Sequence, residues 1–439
     1  MLMKRNLVLV IFLLFMLPGM GQKKWTLEDC IKYAIENNLD IKRLAISSEK
    51  AAESYHQSKW NMLPSFGASS SAGYSFGRSV VEGDLVTKSY FYNDYNLGAS
   101  LELFNAFSVQ NQISYTKFLK ESAENSKLNA VNNLAFEVMN YFFDVIYYNE
   151  LLRITNEQKD LSLIIERKTE VLVNTGLKST SELLEVKANL EKDILTCIQT
   201  GNLRDASLIK LKKAMNLNPD STMILLRNSA VVIAGFQEES DIKSVYNAYS
   251  GWSPLIKALE YDWKASGKYL SMQRSGCFPS LTTNASYGTY FYPSGSTDGF
   301  RYQLKANQSQ YLGLSLRIPV FNRNLTQTSV RLAKLDYESA RTKLEQAKRD
   351  TYYDVLTNYN DLKASLSEYG QEKKQLEADT LAFRASEKKY MQGMISVIDF
   401  YTAKNRMANT EGQLLRAGMS ADIKMKIIDF YRGNRFWEK

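Results

Sequence analysis

Residues around Pro64 read WNMLPSFGASSSAGYSFG, and residues around Pro279 read SGCFPSLTTNASYGTYFY. LGASLELFNAF, starting at Leu97, is echoed by LGLSLRIPVFNRN, starting at Leu312. Both matches lie 215 positions apart. Phe104-Asn105 and Phe321-Asn322 then match at 217, as if Ile318-Pro319 were inserted. The new spacing persists: Gly176 answers Gly393, and Gly201 answers Gly418. Register held over about 150 residues marks a duplicated structural unit. The 439 residues are therefore read as one architecture of two similar halves, 22–235 and 236–439, behind a leader at 1–21. Length alone would also allow two or three unrelated domains.

The leader has the form of a secretory signal. Lys4 and Arg5 precede an apolar run from Leu7 to Leu17, and Gly19 and Gly21 are the small residues before a cut ahead of Gln22. No later segment approaches the roughly 18 apolar residues of a spanning helix. The mature chain is expected outside the cytoplasm, and in a membrane only as a β-barrel. No cysteine stands at the cut to take a lipid anchor.

After Pro64 the apolar period changes from that of a helix to that of a strand. Phe66, Ala68, Ser70, Ala72, Tyr74 and Phe76 face one way, and Gly67, Ser69, Ser71, Gly73 and Ser75 the other. Strands are read at about 65–77, 89–103, 280–292 and 308–320, one pair per half, with polar loops around Val80–Lys88 and Pro293–Asn307. An apolar face opposite glycine, serine and asparagine suits a lipid-facing barrel wall with a wet lumen. A half-exposed antiparallel sheet shows the same alternation.

The rest reads as helix. Thr26 to Ala51 opens with Thr26 as N-cap and Asp29 at the third helical position. In the second half, Pro254 fits a first helical turn. Long helical hairpins follow at 105–217 and 322–431, turning at Gly176 and Gly393, with Gly370 read as a bend. Each carries one apolar seam, such as Leu183, Val186, Leu190 and Ile194, and needs neighbours to bury it. Four strands cannot close a barrel, for which about eight is the minimum. Three chains would supply twelve.

These features together resemble the TolC-type outer-membrane efflux protein family. The resemblance covers nearly all of the mature chain: the opening WTLEDCIKYAIENNLDI, two Pro-Ser strand starts, two strand-to-helix junctions and two glycine turns. It implies an α+β fold with two internal repeats. A β-barrel in outer-membrane lipid, four strands per chain and twelve in a homotrimer, continues as a long periplasmic α-helical barrel. The implied role is a passive exit duct joined to an inner-membrane pump through a periplasmic adaptor (membrane fusion) protein, which opens the helical tips. Asp399 matches an acid that rings the entrance, with Glu182 and Glu185 as further contributors, because the second family acid is Thr402 here. Tyr390 matches a tyrosine that holds the closed state. Its arginine partner has no match, Arg416 being only nearby. Gly176, Leu177, Gly393 and Met394 are the implied turn and adaptor-docking residues. Asp399 and Glu182 also read as ordinary solvated helix charges, and both glycines as left-handed turn positions.

Other classes find less support. His56, the one histidine, sits in polar SYHQSK. No catalytic triad, phosphate loop, metal cluster or cofactor motif is present, so no enzyme is expected. A net charge of +8, spread along helices, gives no nucleic-acid patch. Cys30, Cys197 and Cys277 have no framework spacing and read as inert packing residues. The outer-membrane component of a one-step protein secretion system, and a soluble periplasmic coiled-coil scaffold, remain as alternatives.

Overall fold

A computed structural model describes residues 24–81, 84–87, 89–226, 242–291 and 299–438. The leader, the boundary at 235/236 and residues 292–298 of the second strand loop lie outside the described residues. Two compact units separate, one of Leu44–Lys127 and Pro254–Lys348, the other of the described parts of Met1–Arg43, Leu128–Ser253 and Arg349–Lys439.

The first unit holds an antiparallel sheet. Its strands are β2 (Ser65–Ser75), β5 (Tyr90–Phe104), β7 (Ser280–Phe291) and β8 (Ser309–Arg317), paired in that spatial order. Register aligns Phe66, Ala99, Ala285 and Leu312 in one row, and Ala68, Leu97, Tyr287 and Gln310 in the next row of the same face. The row between, on the other face, is Gly67, Gly98, Ser286 and Tyr311. The apolar face is uncovered: Phe66 and Leu312 are each 80% exposed. The loops are not wholly irregular. A hairpin of β3 (Arg78–Val81) and β4 (Asp84–Thr87) occupies the first, and a short helix, α7 (Phe300–Ala306), the second. The last strand stops at Arg317 rather than near 320, because Pro319 has no N–H to donate.

Each outer strand pair feeds a long helix through two residues with left-handed backbone. Ala106 and Phe107 precede α3 (Ser108–Asn174), and Arg323 and Asn324 precede α8 (Leu325–Met391). Both helices have 67 residues, with residues in both units. Gly370 does not interrupt α8. The return helices are α4 (Thr180–Met215) and α9 (Val397–Tyr431).

The stretch read as one helix from Thr26 to Ala51 is two, α1 (Leu27–Asn37) and α2 (Leu39–Trp60). Thr26 and Asp29 form the capping box that starts α1. Asn38 is extended, and its Oδ1 accepts from the amides of Asp40 and Ile41, 2.8 and 3.2 Å away. The side chain thus caps α2, which ends α1 and turns the chain. Pro254 makes the corresponding break between α5 (Ile242–Trp252) and α6 (Pro254–Ser275). β1 (Lys24–Trp25) pairs in parallel with β6 (Ile224–Leu225).

The second unit has an apolar core of Ile31, Met139, Phe142, Leu211, Val355 and Phe430, against which the C-terminal Phe436 and Trp437 pack. A smaller core of Ile165, Val186, Phe383, Tyr390, Val397, Phe400 and Tyr401 lies near the two glycine turns. Cys30 is buried in the larger core as a packing residue should be, but Cys277 is exposed, in the turn between α6 and β7. None of the three cysteines is in a disulfide. Among the described residues no helix is long and apolar enough to cross a membrane.

Candidate functional site

The candidate residues gather where α3 turns into α4 and α8 into α9. Both turns use the same device. Gly176 has φ of 76° and Gly393 of 73°. The amide of Gly176 bonds the Val173 carbonyl at 2.9 Å, and that of Leu177 bonds Leu172 at 2.8 Å. Gly393 bonds Tyr390 at 3.0 Å, and Met394 bonds Lys389 at 2.9 Å. These are paired Schellman caps, with glycine at the left-handed position. Beyond each glycine, Leu177 and Met394 stand 74% and 69% exposed.

Three residues on, Ser179 and Ser396 cap the return helices, accepting from the amides of Glu182 at 3.2 Å and Asp399 at 3.1 Å. The two candidate acids therefore hold the same third helical position, but they differ in use. Asp399 is exposed and closes a capping box, accepting from the Ser396 hydroxyl at 2.7 Å. Glu182 instead pairs with Lys178 and accepts from the Tyr390 hydroxyl at 3.4 Å. Glu185 lies one turn on and is half-buried.

Tyr390 is buried, with its ring stacked on Phe400 at 4.9 Å and its hydroxyl 3.4 Å from the Thr169 hydroxyl. Among the described residues no arginine is hydrogen-bonded to its hydroxyl. Lys178 lies over its ring, 4.1 Å from the centroid. Burial works against the Lys178 charge, but Glu182 and Tyr390 outweigh it and hold the ammonium above the ordinary lysine value. Arg416 acts on Tyr147 instead.

Deeper along the same helices sits a group the sequence reading missed. Lys404 of α9 has no exposed surface. Its ammonium donates to the Ser162 hydroxyl of α3 at 2.6 Å and pairs with Asp193 of α4. Ser162 also donates to Asp193, at 2.6 Å. Burial pushes Lys404 below the ordinary lysine value, while Asp193 pulls it up. Tyr401 beside it is pushed up to about 12, chiefly by burial. The available signal was spacing: Val397, Phe400, Tyr401 and Lys404 fall on one helical face, so a lysine continues an apolar seam.

A related rung joins α8 to α9. Thr410 donates to Asp379 at 2.8 Å, and Arg406 pairs with the same carboxylate at 2.8 Å. The exposed His56 stands apart from both groups.

The family model described as outer membrane efflux protein matches residues 30–217 and 246–426. A relative named toxin and drug export protein A, from Aggregatibacter actinomycetemcomitans, is 21% identical, covering 88% of this chain and 81% of its own. Outer membrane protein TolC of Salmonella enteritidis is 20% identical, over 90% and 79% respectively. Among solved structures, CusC superposes with a TM-score of 0.80 at 14% identity, covering 92% of this chain and 91% of that one. The outer membrane protein VceC of Vibrio cholerae gives 0.79 at 12%, covering 93% and 96%. With the family model matching well over half of its length, the chain belongs to the outer membrane efflux protein family, which is made up of outer-membrane channel proteins rather than enzymes.

Proposed function

We propose that three copies of this chain assemble into an exit duct. Each contributes four strands to a twelve-stranded barrel, and the helices continue it as a periplasmic tube. The observation that carries this reading is the sheet itself. One face exposes Phe66, Leu97, Leu312 and Leu314, the other is mainly serine, glycine and asparagine with Asp94, Glu102 and tyrosines such as Tyr311, and β2 and β8 are free edges among the described residues. Lipid would cover the first face and water the second. A free edge is a ready template for pairing with another strand, and threefold closure pairs both. Halves at 22–235 and 236–439 account for the equal 67-residue helices, the matched left-handed pairs and the matched glycine caps.

The helical tips are the gate in this reading. Asp399, Glu182 and Glu185 would gather by threefold symmetry into a cation-attracting constriction. Tyr390 would hold the closed arrangement through Thr169, Lys178 and Glu182. Gly176, Leu177, Gly393 and Met394 would present the surface that a periplasmic adaptor engages, with an inner-membrane pump behind it. Outer-membrane membership sets the soluble scaffold aside. The name of the Aggregatibacter relative couples toxin with drug export, which favours one-step protein secretion as a second use of the same duct.

The test is the native mass of protein extracted from the outer-membrane fraction in mild detergent. Three chains are expected. A monomer would leave a four-stranded sheet with no barrel to join, and the proposal would fail.

A further inference from the structure

Within the chain, α9 packs on α3. Lys404 reaches Ser162 at 2.6 Å, Arg153 pairs with Glu411 at 3.2 Å, and a Cβ added at Gly412 would meet the Leu151 side chain at 3.5 Å. The duplication carries α3 onto α8 and α4 onto α9, at the spacing of 217. Tyr401, Lys404, Gly412 and Leu415 of α9 therefore correspond to Leu184, Lys187, Leu195 and Ile198 of α4. The first set is covered: Tyr401 is 4% exposed, Lys404 not at all, and Gly412 is buried. The second set is bare: Leu184, Leu195 and Ile198 are 64%, 53% and 56% exposed, and the Lys187 side chain 46%. So α4 carries the face that α9 buries on α3, with no helix to cover it among the described residues. The equivalent of α3 is α8, where Asp379 stands for Ser162, and Thr410 of α9 stands for Asp193. Thr410 donates to Asp379 Oδ2 at 2.8 Å, and Arg406 reaches Oδ1 at 2.8 Å. An ionised carboxylate offers about four acceptor sites, which leaves room for another donor. The third member of the buried cluster, Lys404, corresponds to Lys187. In its own copy Lys187 stands 3.8 Å from Glu166 and from Glu170, too far for a hydrogen bond.

We infer that Lys187 of one copy donates to Asp379 of the next, with Leu184, Leu195 and Ile198 laid along the α8 helix of that copy. The contact between copies then repeats the contact between the two hairpins of one copy. Asp379 is held by one cation from each side, Arg406 of its own copy and Lys187 of the next. A head-to-tail contact of this kind generates a ring when its rotation closes. The inference rests on the reading of the chain as a three-copy duct and names the side chains that join its walls. The occupant is a second copy rather than an unrelated helix, because this chain already carries the complementary carboxylate at the equivalent position. Complementary charge fixes the register of such a contact more than its strength.

The test uses the full chain in the outer-membrane fraction. A carbodiimide, which joins an amine to a carboxylate with loss of water and adds no spacer, is applied to the wild-type protein. Multi-chain bands on a denaturing gel should yield the Lys187 peptide joined to the Asp379 peptide, and Lys187→Gln should remove that junction. In a second protein, Cys197→Ser and Cys277→Ser leave only the buried Cys30. Leu195→Cys and Glu368→Cys are then added, at the equivalents of Gly412 and Leu151. Both positions are exposed in the single copy, so the protein should fold. A short bis-maleimide should link it into two-chain and three-chain bands, whereas either new cysteine alone should give single chains. Carbodiimide junctions of Lys187 to Glu166 or Glu170 but never to Asp379 overturn the inference. So do bis-maleimide bands no different from those of the single-cysteine proteins. Native mass separates that failure from failure of the duct. Three chains without these links leave the duct standing and overturn the seam, while a monomer overturns both.

Discussion

Removing the acid and removing the base of the Lys404–Asp193 pair should have unequal effects. Asp193→Asn keeps the shape but leaves a fully buried ammonium with neutral partners only. Stranding one charge of a buried pair costs about 3–5 kcal/mol. Lys404→Met removes the buried charge itself and fills the space with an unbranched apolar side chain. Asp193 then keeps its bond from Ser162, and its side chain, 16% exposed, can reach water. Replacing a buried ion by a well-packed apolar group is often near neutral, so a loss of about 1 kcal/mol or less is expected. The double variant should resemble Lys404→Met, because no stranded ammonium remains. Hydrogen exchange of amides around residues 162, 193 and 404, in the intact detergent-solubilised protein, reads this locally. Asp193→Asn should speed exchange there by about a hundredfold or more, at 1.4 kcal/mol per factor of ten. The effect should shrink as pH rises. A lysine whose folded value lies below its unfolded one gains stability as pH climbs toward the unfolded value, where it can enter the fold uncharged. Equal damage from the two single variants, or additive damage in the double, would refute the reasoning.

Gly176→Val and Gly393→Val each force a β-branched side chain into a left-handed position, with open space around the new Cβ. Each should cost about 1–2 kcal/mol and speed proteolysis at the turns, and unchanged proteolysis in both would argue against the strain account. Tyr401 titrates near 12, so its contribution is complete below its unfolded value near 10 and is lost as pH rises through 12. Tyr401→Phe should flatten that part of the alkaline unfolding curve, and an identical curve would show that burial does not hold the phenol protonated. Asp399→Asn should weaken cation block of single-channel conductance, with at most about 1 kcal/mol lost from the helix cap. Unaltered block would leave Asp399 as a capping residue alone.

What was legible in the sequence was what is decided locally. The Thr26 capping box, the glycine turns and the strand alternation each follow from residues within a few positions of one another. Asn38 was missed because an asparagine inside an apolar helical pattern reads as a weak helix former, while its side chain in fact caps the next helix. Gly370 was overread. A glycine costs a helix only about 1 kcal/mol, too little to break one of 67 residues. The left-handed pairs Ala106-Phe107 and Arg323-Asn324 had no signal, since three of the four are residues that seldom adopt that backbone. The buried charge clamp was hidden for a different reason: Lys404 is 242 positions from Ser162 and 211 from Asp193. Its logic emerges only when positions 217 apart are compared. Ser162 corresponds to Asp379, and Asp193 to Thr410, so both rungs pair a hydroxyl with a carboxylate, with the two exchanged. In each rung the carboxylate takes a cation from α9, Arg406 for Asp379 and Lys404 for Asp193. Asp379 lies on α8, the partner of α9 within its own hairpin, so that rung stays internal. Asp193 lies on α4, so the same demand draws a lysine across and ties one hairpin to the other.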